Sequence, residues 1–112
     1  ANKKIEAAET DLKELLAFDA NDPRLLTLYA RVSQLKEDPT TALQYYQLST
    51  QYEEELAFNR YEIARYYYQF GLKEKALLEI DKCLLLLPMD HASRGAIVGL
   101  KKTITESMET PQ

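Results

Sequence analysis

Displaced by 34 residues, the chain lies on itself: Tyr29 falls on Ile63, Ala30 on Ala64, Ala42 on Ala76, Tyr46 on Ile80 and Ser49 on Cys83. One step further back lays Ala42 on Ala8 and Tyr46 on Leu12. Small residues recur where two helices must come close, and large ones recur beside them. A period of this length describes an array of helical hairpins, in which no unit can bury its apolar face alone and each stacks on the next.

The local signals agree with that period, and no stretch alternates as a strand would. Residues 3–19 carry Ile5, Ala8, Leu12, Leu15 and Leu16 on a helical spacing, and "DANDP" then breaks the chain. Asp22 before Pro23 reads as a cap and first helical residue. Leu26, Tyr29, Ala30 and Ser33 carry that helix to about Lys36. Asp38 before Pro39 repeats the start signal, for a third helix to about Tyr52. A fourth spans about 57–70 and stops at Gly71, a left-handed terminator. The acidic run "EEE" at 53–55 precedes it and suits its positive end. A fifth runs over about 73–87 and ends at Pro88, and a sixth starts after Asp90 and fades into "TESMETPQ". The expected fold is all-α, about six helices paired antiparallel.

This spacing and chemistry resemble the tetratricopeptide repeat, a pair of antiparallel helices stacked into a right-handed superhelix. Residues 57–90 match best, with Ala64 at the small contact of the first helix and Tyr67 at its large aromatic. Gly71 stands at the turn, Ala76 at the small contact of the second helix, and Pro88 at the terminal proline. Residues 23–56 form a second full repeat, in which Ser33 replaces the aromatic, Glu37 the turn glycine and Glu54 the proline. Residues 3–22 look like the second helix of a preceding repeat, 91–107 like a capping or following helix, and 108–112 like a tail. On this resemblance, residues 1–112 are one TPR-like domain, a slice of a longer array.

The triplet Tyr66-Tyr67-Tyr68 is explained by the same register. Successive helical residues point about 100° apart, so three tyrosines meet three environments. The resemblance implies that Tyr67 packs on its partner helix near Ala76 and Ile80, that Tyr66 faces a neighbouring repeat, and that Tyr68 faces the concave groove.

Several function classes are disfavoured. The net charge of −4 argues against a nucleic-acid partner, since phosphate binding wants a basic surface. The longest apolar run, Cys83–Leu87, is far too short to insert in a membrane. One histidine, His91, and one cysteine, Cys83, make neither a zinc site nor a catalytic pair. Cys83 stands where the repeat wants a small buried residue, and His91 at an exposed inter-repeat turn. With no glycine-rich phosphate loop, no enzyme activity, metal or cofactor is expected. A lone cysteine forms no internal disulfide, which favours a reducing compartment and is compatible with the periplasm. A soluble protein follows, cytoplasmic or periplasmic.

Binding is the remaining class. The register turns Arg24, Thr27, Leu28, Arg31 and Gln34 into the groove, followed by Phe58, Tyr61, Glu62, Arg65 and Tyr68. Of these, Arg24, Arg31, Phe58, Tyr61, Arg65 and Tyr68 are the candidate partner-binding residues. Chaperone-binding members of the family clamp a terminal carboxylate with lysine and asparagine. Thr27, Arg31, Tyr61 and Arg65 stand at the nearest equivalents here, so that clamp is absent. The arginines and aromatics instead suit a short protein segment carrying one or two acidic residues beside an apolar anchor, and Arg65 can alternatively pair with Glu62 one turn back. The expected function is a scaffold or adaptor module; the alternative is a structural spacer or self-association module, a homo-oligomer included. Leu78, Leu85 and Leu87 occupy positions that are usually polar and solvent-facing in this repeat. Leu78 and Leu85, seven apart, share one stripe. They should be covered by the C-terminal helix, a second copy or another part of a longer protein.

Overall fold

A computed structural model describes residues 3–52 and 57–109 of the chain. Six helices follow one another: α1 Lys3–Phe18, α2 Pro23–Leu35, α3 Pro39–Tyr52, α4 Ala57–Gln69, α5 Lys73–Leu86 and α6 Arg94–Glu109. Among the described residues there is no strand. Each helix packs on the next in the chain, from α1 on α2 to α5 on α6. The Cα radius of gyration is 15.2 Å, against about 13 Å for a compact chain of this length. The molecule is therefore a stack rather than a ball.

The two Asp-Pro signals act as the sequence suggests. Asp22 Oδ1 accepts the Arg24 amide at 2.9 Å, and Asp38 Oδ1 accepts the Thr41 amide at 3.2 Å. Both carboxyls are held below the usual aspartate range, Asp22 chiefly by the Arg24 amide and Asp38 chiefly by the Thr41 hydroxyl, with the Thr41 amide second.

The turns inside the two full hairpins are built alike. After α4, Gly71 adopts φ 81°, its amide donates to Tyr68 O at 3.0 Å, and the Leu72 amide donates to Tyr67 O at 2.7 Å. After α2, Glu37 adopts φ 59°, its amide donates to Gln34 O at 3.0 Å, and the Asp38 amide donates to Ser33 O at 2.9 Å. Both close a helix end through a left-handed residue. Glu37 does so with a Cβ, which costs about 1–2 kcal/mol, part of which glycine would return through its freer unfolded state. Glu37→Gly should therefore raise stability by about 0.5–1 kcal/mol, read as a higher urea midpoint at unchanged slope.

The core divides by repeat. Leu12, Tyr29 and Val32 join α1 to α2, with Ile5, Ala8 and Leu16 against them. Ala30, Tyr46 and Ile63 join the first full repeat to the second. Ala57, Ala64, Ala76, Ile80 and Cys83 form the third cluster with Ile97 and Ile104 of α6. Ala30, Ala42, Ala64 and Ala76 have no exposed surface at all. Tyr66 packs on the middle cluster and Tyr67 on both the middle and third, which is why one helix carries bulky residues on successive faces.

Three details depart from the sequence reading. The sixth helix begins at Arg94, not directly after Asp90, because Pro88–Ser93 make extra turns closed by His91 N to Pro88 O and Arg94 N to His91 O. The Arg94 guanidinium pins those turns by donating to Leu84 O at 2.8 Å and Leu87 O at 3.1 Å, the open carbonyls at the end of α5. His91 is half-buried rather than exposed, with its ring edge-on to Phe58 at 6.1 Å. Leu15 is half exposed, on the side of α1 that no helix covers. The acidic run at 53–55, Glu54 included, lies outside the described residues.

Candidate functional site: the α2–α4 groove

A groove opens between α2 and α4, the first helices of the two full repeats. Arg24, Leu28 and Arg31 sit at successive turns of α2 and so share one stripe. Phe58, Asn59 and Glu62 oppose them from α4, and the end of α5 closes one wall with Leu86 and Leu87. Two cavities adjoin along this groove. The larger, about 510 Å³, is apolar, with Leu28, Ala57, Phe58, Leu86 and Leu87 beneath Arg24 and Arg31. The second, about 420 Å³, carries more polar groups, with Gln34, Tyr46 and Glu62 around it beside Leu35 and Phe58. Arg31, Phe58 and Asn59 line both.

A chain of hydrogen bonds forms the polar floor. The Tyr46 hydroxyl donates to Gln34 Oε1 at 2.7 Å, Gln34 Nε2 donates to Glu62 Oε2 at 2.6 Å, and Arg65 Nη1 donates to Glu62 Oε1 at 3.1 Å. Burial, with the Glu62 charge added, pushes the Tyr46 hydroxyl up to about 12, so it stays protonated and remains a donor near neutral pH.

This floor separates two arginines that the repeat makes equivalent. Arg65 is held by Glu62, and its guanidinium carbon lies 5.9 Å from the Tyr61 ring centroid. Arg31 makes no ion pair with a carboxylate among the described residues and lines both cavities, beside the Tyr46 hydroxyl. Arg24 contacts Asp22 at 3.6 Å, and its side chain is 86% exposed, so that pair is weak.

The candidate residues thus fall into two groups. Arg24, Arg31 and Phe58 meet in the groove. Tyr61 and Tyr68 line neither cavity and pack half-buried against the third core cluster, with Arg65 beside Tyr61. On the outer face of α5, Leu78 is 62% and Leu85 86% exposed, and α6 does not cover them. Leu87, expected as a third outer contact, is instead half-buried against the core and lines the apolar cavity. Cys83 is fully buried, and burial pushes its thiol up, which keeps it protonated.

Two side chains escaped the sequence reading. Asn59 is 3% exposed and donates through Nδ2 to Thr27 Oγ1 at 2.7 Å and Ser49 Oγ at 2.6 Å, tying α2, α3 and α4 together. Its signal was a polar residue four positions before buried Ile63, on the inward stripe. Arg60 pairs with Glu79 at 2.9 Å between α4 and α5, with both side chains largely buried. Among the described residues no three potential metal ligands cluster, and no helix is long and apolar enough to cross a membrane.

No protein-family model matches the sequence, and no curated protein matches it. Solved structures do. The Yersinia enterocolitica type III secretion translocator chaperone SycD superposes with a TM-score of 0.86 at 15% identity, over 96% of this chain and 77% of that one. SycD in complex with a peptide of the translocator YopD gives 0.83 at 15% identity, over 95% and 83%. The first TPR of Spaghetti (RPAP3), bound to the HSP90 peptide SRMEEVD, gives 0.81 at 14% identity, over 96% and 82%. Identities this low speak to the fold alone, and the fold they share with this chain is the tetratricopeptide-repeat array.

Proposed function

We propose that the chain is a non-enzymatic protein-interaction module whose concave groove takes a short segment of a partner protein, an apolar anchor beside one or two acidic residues. The observation that carries this reading is Arg31, a guanidinium without a carboxylate partner among the described residues, poised over an apolar cavity walled by Leu28, Phe58 and Leu87. A guanidinium offers a planar fork to a carboxylate, and the apolar wall shields it from water. The wall and the charge adjoin, so one segment can use both. The YopD and HSP90 peptides solved on similar arrays support a peptide as the class of ligand.

Two repeats offer a small interface, so affinity is expected on the order of micromolar. An array of synthetic decamers varying in acidic and apolar content tests the reading. Decamers with both features should bind, and their affinity should fall as salt rises from low to physiological ionic strength. Preference for basic decamers, or for none, would refute it.

A further inference from the structure

We infer that Asn59 reads the main chain of the bound segment, accepting a peptide N–H on its carboxamide oxygen; this rests on the groove being a peptide site. The orientation of the carboxamide follows from its neighbours. The Thr27 hydroxyl spends its single proton on Pro23 O at 2.8 Å, and the Ser49 hydroxyl spends its own on Tyr46 O at 2.8 Å. Both hydroxyls must therefore accept from Asn59, at 2.7 and 2.6 Å, which fixes Nδ2 on their side. The oxygen is turned the other way.

Among the described residues no donor reaches Asn59 Oδ1, and none of their fully enclosed side-chain oxygens lacks a partner, so this atom keeps a small share of the residue's 3% exposed surface. Asn59 lines both cavities, at the junction of the apolar and polar halves beside Arg31. The groove thus holds a rigid neutral acceptor, locked by three helices in a residue that is 3% exposed. A segment with its apolar side chain in the first cavity passes its backbone over this junction, and each peptide unit brings an N–H that has left water. An acceptor that does not rotate loses no freedom on binding and favours one register of the segment.

The test uses the tightest decamer from the array and its full set of single N-methyl derivatives, each of which lacks one main-chain donor. Against the native chain, methylation at one position beside the apolar anchor should weaken binding about 3- to 10-fold or more. The same methylation should cost little against Asn59→Ala. Thr27→Val keeps the shape, frees the carboxamide and should also shrink the penalty; with the native scan it decides the matter if Asn59→Ala does not fold. A flat scan on the native chain, or a penalty unchanged in both variants, overturns the assignment while leaving the groove a peptide site. A purely structural Asn59 would lower stability without altering the N-methyl penalty. Absence of any binding decamer overturns the groove reading, and the role of Asn59 with it.

Discussion

Ala64→Leu and Ala76→Leu should each destabilise the protein by about 1–3 kcal/mol, several degrees of melting temperature in a domain of this size. Both alanines have no exposed surface and belong to one cluster, between α4 and α5. Leucine needs space that Tyr67, Ile80 and Cys83 already fill. The helices would have to part, and the tight Gly71 turn joining them gives little slack. Ala7→Leu, on the exposed face of α1, is the control and should leave the unfolding midpoint unchanged. Equal midpoints for all three variants by calorimetry would mean that the small residues do not mark close helix contacts.

The largest effect on binding is expected from reversing the groove charges. Arg24→Glu with Arg31→Glu should weaken an acidic–apolar decamer about 100-fold or more, whereas Arg65→Ala should change affinity less than about 3-fold. A shielded hydrogen bond to a charged group contributes about 1.5–3 kcal/mol, and the reversed charge repels the same carboxylate. Arg31 supplies most of this, since it lines both cavities whereas Arg24 lines only one and already contacts Asp22. Arg65 differs because Glu62 already neutralises it. Calorimetric titration of the two folded variants, beside the native chain, measures both effects. Equal losses for Arg65→Ala and for the double reversal would place the carboxylate one repeat further along, beside Tyr61.

What the sequence discloses here is what repeats or acts locally. Asp22-Pro23 and Asp38-Pro39 start helices because cap and imide act within a few residues, and the 34-residue recurrence marks the alanines because close contact tolerates nothing larger. The start of α6 was misread because Arg94 reaches back to the carbonyls of Leu84 and Leu87, and nothing local announces that reach. Glu37 shows that the left-handed turn is imposed by the hairpin, since it forms without glycine. The unlike fates of Arg31 and Arg65 depend on Gln34 meeting Glu62, residues 28 apart in sequence on different repeats. Register alone assigns those two arginines the same place. Asn59 was missed for a similar reason: its partners lie on α2 and α3.

The most direct test is an NMR titration of the isotope-labelled chain with the tightest acidic–apolar decamer, followed at backbone amides and leucine methyls. Shift changes should concentrate at Leu28, Arg31, Phe58, Asn59 and Leu87, along the walls of the groove. Changes centred instead on Leu78 and Leu85, the exposed leucines on the outer face of α5, with the groove residues unmoved, would place the binding surface on that face and contradict the proposed function.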